Sequence, residues 1–455
     1  MTTNILRDVR LMYCNRQQNL NLEIREAEQE GKDVAPYREP AAQIQAAPVS
    51  PEAEKAAIEL CEALRHSAIR PDYLYREPES IQSIEALFPP ELTCARPTDL
   101  PSRIHGALLG RAAGCLLGQP VECWMRERIV GLAKDTGNYP ITRYFSSKIP
   151  EEVCKRYEVQ DEPGAYGNKK RAWINNVDCA PEDDDLNYTL LALRIMEEYG
   201  LDFTSEDVAE CLTLNLPVFL TCTAERMAYR NILNAILPPD SACYGNPYRE
   251  WIGGQIRVDG YAYACAGRPT LAARMALRDA SVSHTKNGLY AAVFCAALIS
   301  LCAVCHDMHE AIEHALSFVP PKSRLREALE EFLLFERSGA SDEALITYVH
   351  SRYQESDRHD WCLAIPNDLI VLLSLLRGGQ DFTRVIGLAT ECGFDTDCNA
   401  ATAGSAYGMM YGAAALPASW TEPMHGELFS RIGCGGRLSF QAISERFVRL
   451  ADQVS

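Results

Sequence analysis

Residues 391–412 read ECGFDTDCNAATAGSAYGMMYG. Two aspartates flank a threonine, and the chain then runs almost wholly into alanine, glycine, serine and methionine. Gly404, Gly408 and Gly412 recur every four residues, with Ala400 one turn earlier. Upstream, IHGALLGRAAGCLLGQPVE carries Gly106, Gly110, Gly114 and Gly118 at the same spacing. On an α-helix such residues lie along one slowly drifting stripe. Each glycine costs about 1 kcal/mol of helix propensity against alanine, so a ladder of four calls for close backbone approach. The two segments are therefore expected to be helices packed face to face in the core, each meeting a polar cluster at one end. Glycine-laddered helices also occur in membranes, but Arg111 and the polar residues around both segments argue against a spanning role.

Outward from the ladders, the chain from about residue 101 reads as helix after helix, which predicts an all-α architecture. Thr204 is placed to cap VAECLTL, Ser323 to cap LREALEEFLLF, and Asn367 to cap DLIVLLSLL, which stops at Gly378-Gly379. Residues 1–100 form a separate N-terminal helical extension. It holds a helix at roughly 16–32, a Pro/Ala-rich connection, PYREPAAQIQAAPVSP, and a second helix, EAEKAAIELCEALRHSA. Residues 125–180, rich in Gly, Pro, Asn and charge, read as a long excursion over one face, and such loops are often functional.

Composition bounds the function. With 47% hydrophobic residues in a chain of 455, there is enough apolar material for a sizeable core. The net charge of −18 and the lack of Lys/Arg-rich runs leave no basic nucleic-acid-binding patch. The most apolar run, LYAAVFCAALISLCAV, is 16 residues long, short of the roughly 20 that a bilayer needs, and is expected to be a buried core helix with no membrane role. Its Cys302, with Cys305 just beyond its end, lacks the further ligands of a zinc site. Eighteen scattered cysteines and an N-terminus without a secretory pattern predict reduced thiols in a cytoplasmic protein.

Three acidic clusters stand at helix ends: Glu122 after the first ladder, Glu182-Asp183-Asp184-Asp185 before LNYTLLALRIMEEYG, and Asp395-Thr396-Asp397-Cys398-Asn399 before the second ladder. Aspartates cap helix N-termini and favour the positive end of the macrodipole. One cap needs one aspartate, and three in a row repel one another unless they are solvated or neutralised by a cation. Carboxylate and hydroxyl oxygens suit hard divalent ions such as Mg²⁺. Spacing alone leaves a metal site and solvated capping evenly matched.

In order and spacing these segments resemble the ADP-ribosylglycohydrolase family, which includes the dinitrogenase-reductase activating glycohydrolases and the ADP-ribosyl-acceptor hydrolases. The resemblance rests on G-x-x-x-G-x-x-x-G-x-x-x-G-x-P-x-E at 106–122, the aspartates 183–185, and G-x-D-T-D-x-x-A at 393–400. It covers roughly 101–455, with VDGYAYACAGRPTLAARMALRDASVSHTKNGLY similar to the middle section of bacterial members. It implies a compact all-α catalytic domain around a binuclear magnesium site. Asp184, Asp185, Asp395 and Asp397 would be ligands. Asp183 occupies the position of one threonine ligand and Cys398 that of another, which opens the site to Mn²⁺ as well. Cys115 stands where an aspartate is usual, and Leu186 where a second threonine is frequent.

The resemblance also implies hydrolysis of a glycosidic bond through an oxocarbenium-like transition state, with Glu122 as general base or acid and Asp184 and Asp397 at the metal edge. The expected substrate is an ADP-ribosylated protein, nucleic acid or small molecule. The alternatives are an N-glycoside hydrolase on a nucleoside-like metabolite, or a non-enzymatic binding protein on the same fold. His284, Asn287, Asp259 and Trp124 are weaker candidates for substrate contact, with Trp173 beside them. Each is as readily read as a cap, a turn or core packing.

Overall fold

The computed structural model describes residues 11–91, 97–161, 170–433 and 435–454. The fold is all-α, as expected. Among the described residues the only sheet is an antiparallel pair, Glu427–Ser430 with Gly436–Ser439, in which Leu428 lies opposite Leu438.

The two ladders form the central pair of helices, Leu100–Gly118 and Thr396–Tyr411. A Cβ on Gly110 would collide with the carbonyl of Gly404, and one on Gly114 with that of Ala400. At Gly118 it would strike the backbone of Thr396 and Asp397, and at Gly106 that of Gly408 and Gly412. Positions rise along one helix as they fall along the other, so the pair is antiparallel. This geometry sets the C-terminal end of the first ladder, where Glu122 follows, against the N-terminus of the second, where Asp395 and Asp397 stand. The glycines are therefore the condition for the acidic clusters to meet.

Around this pair lies one large core. Lys286–Cys302, which carries most of the apolar run, is buried along its whole length and packs on Pro269–Ala280 and the second ladder. No described helix is long and apolar enough to cross a membrane. The expected caps at Thr204 and Ser323 are present, and Ala364–Gly378 stops at Gly379 with φ +57°. Asn367 is not a cap. Its helix begins at Ala364, and its side chain has another task, described below. Residues 125–180 carry the short helices Arg126–Asp135 and Glu151–Arg156, and positions 162–169 of that excursion lie outside the described residues.

The N-terminal segment has its own small core, with Leu20, Ile24, Ala57, Leu60 and Leu64 brought together by Leu20–Gln29, Ala35–Ala46 and Pro51–Arg65. The Pro/Ala-rich stretch, expected to be a connection, is mostly the second of these helices. Pro36 falls in the first turn, where its missing N–H costs nothing. Pro40 lies inside, tolerated in a helix whose Ala41 is buried against its neighbours.

Buried ions join this segment to the main body. Arg249 pairs with Glu23 at 3.0 Å and Glu30 at 2.7 Å, Arg324 with Glu77 at 2.8 Å and Glu250 at 2.6 Å, and His359 with Glu26 at 2.9 Å. Lys286 reaches Glu30 at 3.2 Å. Burial works against a charged His359, but its hydrogen bonds to Asp360 and Glu26 more than offset this, and its pKa is raised to about 9.

Candidate functional site

At the meeting point of the ladders, two groups of side chains offer ligand atoms within 4.8 Å of one another: Cys115 with Asp183 and Asp185, and Asp395 with Asp397 and Cys398. All six side chains are buried. The first group combines the first ladder helix with the start of the helix Asp184–Tyr199, for which Asp183 is the N-cap. The second occupies the first turn of the second ladder helix. There the threonine of the D-T-D sequence turns away, its Oγ1 donating to the carbonyl of Gly118 at 2.9 Å. Asp395 and Asp397, on either side of it, are left to share a site with Cys398. The chain enters this turn through Gly393 and Phe394, both left-handed, at φ +75° and +56°. For a bulky residue such as Phe394 that conformation is strained, and strain of this kind concentrates at functional sites.

The site carries more negative charge than its surroundings balance. Burial raises the pKa of Asp183 and Asp395, and raises those of Asp185 and Asp397 well above the usual carboxylate range. The charge of Asp183 and Asp395 acts on Asp185, and that of Glu122, Asp395 and Asp183 on Asp397. Glu122, partly exposed just past the first ladder, is pushed up to about 8 by burial and by Asp395 and Asp183. Among the described residues, Arg111 is the cation ion-paired with these aspartates, and it is divided between Asp185 at 2.9 Å and Asp259 at 2.8 Å.

Asp185 Oδ2 and Asp397 Oδ1 are buried with no hydrogen-bond partner. Such groups are rare because an unpaired buried acceptor costs about 1–3 kcal/mol and more when charged. Divalent cations fit here: they would satisfy these oxygens and offset the mutual repulsion.

The remaining predicted residues are placed as follows. Asp184 is the first residue of its helix and hydrogen-bonds Asp183, and it belongs to neither ligand group. Asp259 is wholly buried behind the site in its pair with Arg111. His284 is also buried, accepting from the Gly254 N–H at 3.1 Å while Ser283 meets its Nδ1 at 2.8 Å. Burial, with Arg257, holds it neutral. Asn287 lies in the N-terminal junction, donating to Glu77 at 2.9 Å and Glu250 at 3.2 Å. Trp124 is core, edge-on to Trp173 with Arg128 over its ring at 3.7 Å. These contacts give Asp259, His284, Asn287 and Trp124 structural tasks.

Three residues that sequence reading did not select hold the site in shape. Gln119 donates to Asp183 Oδ2 at 2.7 Å. Arg111 fixes Asp185 through its side chain and its carbonyl. Asn367 accepts from the Asp395 N–H at 3.2 Å and from Asn399 at 2.7 Å, which secures the D-T-D turn from outside. The signal for Gln119 and Arg111 was their position on the first ladder. Asn367 gave none.

Residues 96–454 match the family model for ADP-ribosylglycohydrolase. No curated protein matches the chain. Among matching solved structures, one described as an ADP-ribosylglycohydrolase-related protein complex is 19% identical, with a TM-score of 0.42, covering 78% of this chain and 100% of that one.

Proposed function

The chain belongs to the ADP-ribosylglycohydrolase family, and from that premise we propose that it hydrolyses the glycosidic bond between ADP-ribose and an acceptor on a protein, nucleic acid or small molecule. Membership supports a glycohydrolase-type enzyme in general terms, and the bond and acceptor are our reading. One observation carries it: at the end of the ladders, beside Glu122, stand two buried ligand groups with the unpartnered oxygens of Asp185 and Asp397.

Asp183, Asp185, Asp395 and Asp397, with Cys115 and Cys398 alongside, would hold two divalent ions, Mg²⁺ or Mn²⁺. Such a pair supplies Lewis-acid polarisation of the ribose hydroxyls and of the attacking water. The chain's own part is to fix geometry and move a proton. The ladder pair keeps the two ligand groups on a stiff scaffold, and Gln119, Arg111 and Asn367 orient the carboxylates. Glu122, the partly exposed carboxyl at the edge, exchanges a proton with the water or the leaving group. Residues 101–455 form the catalytic domain and 1–100 an extension clamped to it. The protein works in the cytoplasm.

The test is release of ADP-ribose by the purified chain from ADP-ribosyl-arginine, ADP-ribosyl-serine and ADP-ribosylated DNA, with Mg²⁺, with Mn²⁺ and with chelator. Cation-dependent release is expected from at least one conjugate, and Glu122→Gln should slow it by about 10²–10⁴-fold. Turnover unchanged by Glu122→Gln would remove the role given to that residue. No release from any conjugate would turn the reading to a nucleoside-like substrate.

A further inference from the structure

Each half of the acidic site contains one sulfur. Cys115 Sγ lies within 4.8 Å of carboxylate oxygens of Asp183 and Asp185, and Cys398 Sγ within the same distance of those of Asp395 and Asp397. The Cys115 thiol hydrogen-bonds Asp183 and the Cys398 thiol hydrogen-bonds Asp395. Free cysteine usually serves as a small buried hydrophobe. These two, 2% and 5% exposed, instead direct their sulfur at carboxylates in a place where Asp185 Oδ2 and Asp397 Oδ1 lack partners. A third thiol, Cys362, meets Asp395 Oδ2 from outside at 3.6 Å and belongs to neither group.

We propose that Cys115 and Cys398 are metal ligands, one in each half, so that the site is a pair of mixed sulfur–oxygen positions selective for thiophilic first-row ions of the cobalt–zinc class over magnesium. The inference rests on the ion pair being where the proposed function puts it, and it replaces the Mg²⁺ or Mn²⁺ given there by the class of ion that sulfur selects. Thiolate sulfur is a soft donor that magnesium declines and zinc or cobalt accepts. On binding, each thiol loses its proton to solvent as the sulfur–metal bond forms. The donor geometry is the same in both halves, two carboxylates and one sulfur, so neither position is purely oxygen.

The experiment is titration of the full chain with Co²⁺, followed by near-ultraviolet sulfur-to-cobalt charge-transfer absorption, beside calorimetry with Mg²⁺ and Zn²⁺. A band that weakens in Cys115→Ser and in Cys398→Ser, disappears in the double variant and persists in Cys362→Ser is expected. The double variant should also lose more of the Zn²⁺-over-Mg²⁺ preference than the roughly 10–100-fold that a merely supporting contact is worth. Should a serine variant fail to fold, X-ray absorption of the Zn²⁺-loaded wild-type chain answers without it: a sulfur shell near about 2.3 Å supports ligation, and only oxygen neighbours near about 2.1 Å overturn it. Absence of Co²⁺ binding, or a band retained in the double variant, overturns it too. Mg²⁺-dependent ADP-ribose release by a wild-type chain that shows no sulfur-to-cobalt band would refute sulfur ligation and leave the hydrolase reading standing. Sulfur-bound cobalt without release from any conjugate would do the reverse.

Discussion

Among the described residues, two sites gather buried carboxylates, and they look alike until their counter-charges are counted. At the N-terminal junction, Glu26, Glu30 and Glu250 bring their oxygens within 4.8 Å, as the ladder site does with its own groups. There Arg249, Arg324, Lys286 and His359 stand among the acids. Burial works against ionising Glu30, yet Arg249 and Lys286 hold its pKa well below the ordinary value. At the ladder site, among the described residues, the aspartates have one paired guanidinium, that of Arg111 on Asp185, already shared with Asp259, and the Arg171 charge acts on Glu122. An acidic cluster with its cations built in is a joint. One with fewer of them fits the proposed role of holding cations from solution.

The comparison can be broken in several ways, and the largest effect is on catalysis. Asp395→Asn with Asp397→Asn should lower cation-dependent ADP-ribose release by about 10³-fold or more, roughly 4 kcal/mol of barrier. Without cation, its melting temperature should hold or rise, because two like charges have gone. A fall in stability comparable to that of a junction variant would put the two clusters in one class.

Next in size is Arg249→Met, which strands Glu23 and Glu30 in the interior. Breaking a buried pair from one side costs about 3–5 kcal/mol, to be read from urea unfolding of the full chain. The loss should be the same with chelator as without, since no ion from solution serves this joint. Gly114→Ala sharpens the account of the scaffold. Its Cβ would collide with the Ala400 carbonyl, and overpacking of this kind costs about 1–3 kcal/mol. Ala400 is one turn beyond Thr396, so calorimetry should also find weaker cation binding.

The smallest effect is on pH. Glu250 is pushed up to about 8, chiefly by burial, so the folded chain keeps a proton that the unfolded chain gives up above its ordinary 4.5. That contribution to stability is complete below about 4.5 and is lost as pH rises through about 8, with a slope of at most about 1.4 kcal/mol per pH unit. Glu30 and Asp360, both lowered, work in the opposite direction. The readout is therefore the stability of wild type minus that of Glu250→Gln, which should fall as pH rises across that window, because glutamine keeps the neutral form. A difference independent of pH would mean that Glu250 is ionised throughout.

What the chain declared in one dimension was whatever repeats or sits at a helix end. Glycines four apart pointed to two helices in backbone contact, since helical periodicity is a local property, and the D-T-D sequence at the start of one ladder marked where acids would gather. The all-α class, the buried run at 289–304 and the caps at Thr204 and Ser323 follow from the same local rules. The Pro/Ala-rich stretch misled because prolines in the first turns leave a helix intact when its alanines find a surface to pack on. Neither residue type nor the resemblance of a segment revealed the structural partners of Asp259, His284, Asn287 and Trp124. Only the tertiary structure decided that Arg111 ties Asp185 to Asp259, that Cys115 meets Asp183, and that Arg249 reaches back to Glu23 and Glu30 across more than two hundred residues of chain. The physical reason is that a charge is balanced by whatever lies nearest in space, and the fold alone brings those groups together.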